Sequence, residues 1–194
     1  MTAEPSTRER ILAAAATALS TRGYPSTHLT DIARLAGLQP PAVYYYFSSR
    51  EDLITAVMCE GQRMVRDHVC AQLDALPPDA SAAARVATAV EAHLRLELEL
   101  SDFASAVTRN AGQLPPRIRT ELERESQAFH DIWRRLLSDA EKAGVLRPDI
   151  SPTVGRMLVI GALNWATAWW RPTIPVDDVV STAQEMVLGG LFDL

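Results

Sequence analysis

The stretch GLQPPAVYYYFSSREDL, residues 37–53, gathers side chains that can hold an anionic partner. Tyr44, Tyr45 and Tyr46 stand in a row, and on a helix they point in three directions, so one buried face cannot hold them all. A phenol hydroxyl donates to a phosphate oxygen while its ring packs against sugar. Ser48, Ser49 and the free amides of a helix beginning there form an anion site beside them, to which Arg50 adds charge. The alternative is an aromatic cluster tying helices together, and for Tyr44 both readings stand.

Other chemistries find little support. The four histidines, at 28, 68, 93 and 130, are scattered. His68 and Cys70 are two apart in one helical pattern and do not converge on a metal. There is neither a glycine-rich phosphate loop nor a His-x-x-x-His pair, so no catalysis, metal or cofactor is expected. Of 194 residues, 47% are apolar and 22% charged, an ordinary globular profile. Residues 1–66 carry seven Arg against six Asp and Glu, whereas residues 67–194 carry twelve Lys and Arg against eighteen, so a near-neutral head precedes an acidic body. That suits a localised anion-binding face better than a basic coat. No apolar run reaches the ~18 residues of a membrane span, and the polar start MTAEPSTRER reads against a secretory signal. Cys59 and Cys70 lie ~16 Å apart on one helix, too far to bridge. Reduced thiols suit the cytoplasm.

The elements that must position these groups are all helical, about nine of them. STRERILAAAATALSTRG repeats Ile11, Leu12, Ala15, Ala18 and Leu19 at three and four, with Ser6 or Thr7 to cap it and Gly23 to end it. A short second helix, capped by Thr27 or His28, would bury Leu29, Ile32, Ala33 and Leu35 and close at Gly37. PPAVYYYF is a third, with Pro40 and Pro41 in its first turn. The fourth is long and starts at Ser48-Ser49, each at capping-box spacing from Glu51 or Asp52. Further helices are expected over about 80–100, 102–110, 117–143, 152–171 and 176–192. The expected division is a domain over 1–48 and a second over 49–194.

One supporting helix followed by two short ones joined through AGLQ is the layout of a helix-turn-helix. Val43 and Phe47, four apart, make the buried side of the third helix. Gln39, Pro40, Ala42, Tyr45 and Tyr46 are left outward, toward a major groove.

GYPSTHLTDIARLAGLQPPAVYYYFSSREDL resembles the DNA-binding segment of the TetR (tetracycline-repressor-like) transcriptional regulators, through Gly23-Tyr24, Thr27, Ile32-Ala33, Ala36-Gly37-Leu38, Tyr44, Tyr46-Phe47 and Glu51-x-Leu53. The resemblance implies a homodimer of all-helical subunits that binds a palindromic double-stranded operator and answers to a small-molecule effector. Repression is the commoner mode; an activator of the same fold, or an interaction module without DNA binding, are the alternatives. Carried over, Gln39, Pro40, Pro41 and Ala42 face bases, Tyr45 and Tyr46 phosphates, and Thr27 a phosphate at the second helix's start. His28 replaces a common Ser/Thr cap, Thr30 stands where many members have a base-reaching Arg, and Arg50 replaces a lysine. With no Arg or Lys in the third helix, guanine reading from it is not expected; apolar contacts and shape are.

In the C-terminal part, Leu158, Ala162, Trp165 and Trp169 recur at three and four, with Gly161 and Ala166 small enough for close approach. The helix over 117–143 offers Phe129, Trp133 and Leu137 with Leu122. Pairing both helices with their symmetry mates would build a four-helix dimer interface; the alternative puts each Trp in the monomer core. GVLRPD, GALNWATAWWRP and VLGGL resemble the acyl-CoA-sensing catabolic repressors of the same family, implying a thioester effector. Asn164 interrupts an apolar stretch, either as a satisfied structural amide or as a ligand contact. His93, Phe103, Arg109, Asn110 and Gln113 are further candidates for a pocket wall, Arg109 as holder of a carboxylate or phosphate or as a solvated surface residue.

Overall fold

The computed structural model describes residues 4–193, so the N-terminal end of the segment read for a secretory signal lies outside the described residues. Among them are nine α-helices and no strand: α1 (Thr7–Arg22), α2 (Leu29–Leu35), α3 (Pro40–Tyr46), α4 (Arg50–Asp74), α5 (Ala82–Arg95), α6 (Asp102–Asn110), α7 (Pro116–Lys142), α8 (Pro152–Trp169) and α9 (Val176–Leu191). The all-helical expectation holds. No helix among the described residues is long and apolar enough to cross a membrane. The helix expected over 80–100 is interrupted: α5 passes into a π-helical turn at Leu96–Leu100, a widening of the helix common at functional positions.

The chain forms two compact units. The first holds residues up to Met64 and returns for Ser101–Glu125; the second holds Val65–Leu100 and Ser126–Leu194. The units therefore do not part after residue 48, because α6 packs along α1 and because the start of α4 supplies Leu53, Ile54, Val57 and Met58 to the first core.

Local chemistry sets the first unit's helix ends. Ser6 and Glu9 form a capping box on α1. Gly23 (φ 77°) and Gly37 (φ 68°) turn the chain through the left-handed region after α1 and α2, where a side chain would be strained. Asn110 is buried on α6 and accepts from the Tyr24 amide at 2.6 Å while donating to the carbonyls of Leu19 and Ala106. Asp102 accepts from Thr17 at 2.7 Å and Ser20 at 3.1 Å. On α4, a Cβ at Gly61 would run into the backbone of Phe103 and meet Val107 Cγ2 at 2.7 Å, so only glycine permits this approach to α6.

In the second unit α5 packs on α9 and α8. Phe129, Trp133 and Leu137 of α7 are buried within this unit, with Leu94, Val159 and Leu163 among its other buried apolar residues. The three were expected at a dimer seam. They face inward because α7 turns its most apolar stripe to its own unit's core, leaving none of them exposed for a partner.

Candidate nucleic-acid interface

The helix-turn-helix is assembled by burying Ile32, Ala33 and Ala36 of α2 and Val43 and Phe47 at α3 in one core with α1. Leu35, expected inside, is 46% exposed, since Ile32, Ala33 and Ala36 already fill the inward arc of α2. The outward face of α3 then carries Gln39, Pro41 and all three tyrosines, with Pro40 and Ala42 half-buried. Tyr44, Tyr45 and Tyr46 are 55%, 84% and 40% exposed, which decides against an internal aromatic cluster. Tyr45 and Tyr46 pack edge to face, 5.1 Å between centroids.

Pro40 and Pro41 occupy the first positions of α3 and bring no amide hydrogen; the next amide, of Ala42, already donates to the Gln39 carbonyl at 2.9 Å. Gln39 makes no side-chain cap. Within its first turn α3 thus brings no free amide hydrogen of its own and presents side chains.

At the start of α4, the Asp52 amide donates to Ser49 Oγ at 3.0 Å, and Ser48 donates to the Asp52 carboxylate. Those two hydroxyls, Ser48 first, hold the Asp52 carboxyl below its ordinary range. Ser49 therefore caps α4, and Ser48 is engaged by the Asp52 side chain.

Two residues expected at phosphates are used internally. Thr27 is fully buried, its hydroxyl donating to the Gly23 carbonyl at 2.8 Å, so it cannot meet a phosphate in this conformation. Its short side chain closes its own turn instead. Arg50 donates through Nε to the Thr27 carbonyl at 2.8 Å and through a second nitrogen to the Tyr24 carbonyl, its guanidinium 4.2 Å above the Tyr24 ring. The planar fork that distinguishes arginine from lysine is what this brace uses. His28 begins α2 without a side-chain cap and is exposed, as is Thr30.

The residues expected at a ligand pocket are divided between the two units. Phe103, Arg109, Asn110 and Gln113 belong to the first unit: Asn110 is the latch described above, Arg109 donates to the Ser20 carbonyl at 3.0 Å, Phe103 packs on the first unit's core, and Gln113 is exposed. His93 and Asn164 belong to the second unit. Burial, opposed by the Asn164 side chain, lowers His93 to about 4, so its 3.8 Å approach to Glu97 is not an ion pair at neutral pH. Neither His93 nitrogen makes a well-formed hydrogen bond, nor does Nε1 of Trp133. Both rings flank Phe129, with centroids at 5.5 and 6.5 Å. Sequence periodicity placed Trp133 on an apolar stripe, for a dimer seam or the monomer core, and gave no sign of its stranded indole hydrogen.

On α8, Leu158, Gly161, Ala162, Trp165 and Trp169 face outward, joined by Val154 and Met157; Trp165 is 66% exposed. Met186, Gly189 and Gly190 of α9 are exposed too, and a Cβ at Gly161, Gly189 or Gly190 would touch nothing. Between the two helices runs an apolar cleft of about 900 Å³.

An all-helical chain with an N-terminal helix-turn-helix, its third helix turned outward, is a nucleic-acid-binding fold. Residues 11–57 match the bacterial regulatory proteins of the tetR family, and residues 79–191 match the tetracyclin repressor-like C-terminal domain. The chain belongs to the TetR family. It is similar to the HTH-type transcriptional regulator RutR of Escherichia coli strain K12, 32% identical over 145 residues, 73% of this chain and 65% of that protein's length. The chain thus spans just under two thirds of that relative. The fatty acid metabolism regulator protein of Bacillus subtilis strain 168 is 20% identical over 94% of both chains. The solved structure of AibR in complex with isovaleryl coenzyme A and operator DNA shares the fold, with TM-score 0.83 at 21% identity over 93% of this chain and 97% of that one.

Proposed function

We propose that this chain is a ligand-responsive transcriptional regulator that binds a palindromic DNA operator as a homodimer, most often as a repressor, acting in the cytoplasm and without catalysis. The observation that carries this reading is the α3 face, where Gln39, two prolines and three exposed tyrosines stand clear of a core closed by Val43 and Phe47. Gln39, Pro40, Pro41 and Ala42 meet bases; Tyr45 and Tyr46 meet phosphates, with Tyr44, His28, Thr30 and Ser49 at the margins. Arg50 contributes by bracing the turn.

The dimer forms through the outward stripe of α8 together with α9. The small residues Gly161, Ala162, Gly189 and Gly190 allow close helix approach, and Leu158, Trp165, Trp169 and Met186 supply apolar area that monomers rarely leave bare. The effector is a small hydrophobic or acyl-CoA-like molecule, the latter suggested by the ligand in the AibR complex. His93, Trp133 and Asn164 are the polar groups offered to it in the second unit. In the dimer the two α3 helices read sites about one DNA turn apart, ~34–36 Å, or a multiple. Effector binding favours another spacing through α4, with a coupling of ~1–3 kcal/mol per site.

The test is selection of duplexes from random DNA by the purified chain, followed by release with a panel of CoA thioesters. A palindromic preference is expected. Binding no tighter than to bulk competitor would remove the regulator reading, and tight thioester binding that left operator affinity unchanged would remove the coupling.

A further inference from the structure

The recognition unit has little uncommitted charge. Of the five arginines in residues 4–50, Arg10 and Arg50 donate to backbone carbonyls, Arg8 lies over the Phe47 ring, and Arg22 pairs with Asp31 at 3.3 Å. Arg34 is placed differently. Its side chain is 67% exposed, and its partner Asp31, at 3.3 Å, is shared with Arg22. An exposed pair three residues apart on a helix is weak and easily exchanged.

Arg34 follows Thr30 by one turn of α2, so the two side chains leave the same flank. With Gly37, Leu38, Gln39 and Pro40 they line a surface concavity of about 490 Å³, in which Arg34 is the one charged residue. The concavity opens at the start of α3, the end of a recognition helix that enters the major groove. Since Pro40 and Pro41 bring no amide hydrogen there, the side-chain donors available are the Thr30 hydroxyl, the Gln39 carboxamide and the Arg34 guanidinium. A guanidinium beside the leading end of that helix matches guanine O6 and N7 with two parallel hydrogen bonds. Phosphates line the groove's edges, where the proposed function puts Tyr45 and Tyr46.

Resting on the reading of this chain as a DNA-binding regulator, we infer that Arg34, beside Gln39, reads a guanine in each operator half-site. The α3 helix itself holds no cationic residue, so guanine preference comes from α2. Asp31 keeps the side chain extended until the base edge replaces it.

The experiment is duplex selection from random DNA with the full-length chain and with Arg34→Ala and Arg34→Lys, each checked for unchanged helicity. The parent chain should select a guanine in each half-site. Arg34→Ala should cost roughly 5- to 150-fold on that site and accept any base there, leaving other positions unaltered. Arg34→Lys should recover general affinity but only part of the guanine preference, having charge without the fork. Three results overturn the inference: an Ala variant that weakens all sequences equally, a Lys variant indistinguishable from the parent, or no change at all. A parent chain without sequence preference would overturn it together with the regulator reading, whereas a selective parent indifferent to Arg34 overturns the inference alone.

Discussion

The two units treat their buried polar groups in opposite ways. In the first, Asn110 makes three hydrogen bonds, to Tyr24, Leu19 and Ala106, Thr27 closes its own turn, and Ser20 reaches Asp102. In the second, His93 and Trp133 are as deeply buried, yet three of their nitrogens lack a well-formed partner. A fully satisfied polar network favours one rigid arrangement, and stranded donors favour whatever can complete them. Their exposed aromatic faces differ too. Phenols beside glutamine and serines suit a wet, polar partner, while the indoles of α8 beside Met157, Leu158 and bare glycines suit a dry one. An exposed ring by itself names no partner; the residues around it narrow the choice.

That contrast can be broken most sharply at the dry face. Leu158→Glu with Trp165→Glu places two carboxylates in the α8 stripe and should convert a dimer to a folded monomer, association falling by at least ~100-fold in sedimentation experiments. If the variant stays dimeric, the α8–α9 face is not the seam. Next in size is Gly61→Ala, which forces a methyl group against the Phe103 backbone. It should cost about 3 kcal/mol in denaturant unfolding, and a neutral result would mean that α4 and α6 are not locked together.

The pH dependence of the second unit comes next. Burial depresses the folded-state pKa of His93 to about 4 from an ordinary 6.5, so folding favours the neutral ring. This contribution is fully present above pH 6.5 and is lost as pH falls from 6.5 through 4, by up to about 3 kcal/mol. Calorimetry across that window should show the loss, and His93→Phe should flatten it. Smallest is Tyr45→Phe. Removing one hydroxyl from a side chain 84% exposed should leave stability within ~0.5 kcal/mol while weakening operator binding about fivefold, the worth of one hydrogen bond. A variant that binds as well as its parent would make the phenol a spacer and not a donor.

Much of the first unit was legible in residue order because its signals are local. Ser6 or Thr7, Gly23, Gly37 and the proline pair mark helix ends by backbone chemistry that acts within four residues, and Val43 with Phe47 leaves one inward side for α3. The resemblance carried the family. What stayed hidden depends on long-range geometry. Asn110 finds Tyr24 across 86 positions, and nothing in TRNAGQ announces a latch. Arg50 could equally face outward or reach back to Thr27; the tertiary position of that carbonyl decided. The outward apolar stripe was half legible: α8 and α7 both repeat apolar residues at helical spacing, and period alone cannot say which stripe a single chain buries.

The braces at Arg10 and Arg50 have a consequence for ionic strength. A cation already spent on carbonyl oxygens displaces few counterions from a polyanion, so binding that leans on phenols, prolines and one guanidinium per half-site should decline gently as salt is raised. Such a protein would keep its discrimination under osmotic conditions that strip more basic relatives from the duplex.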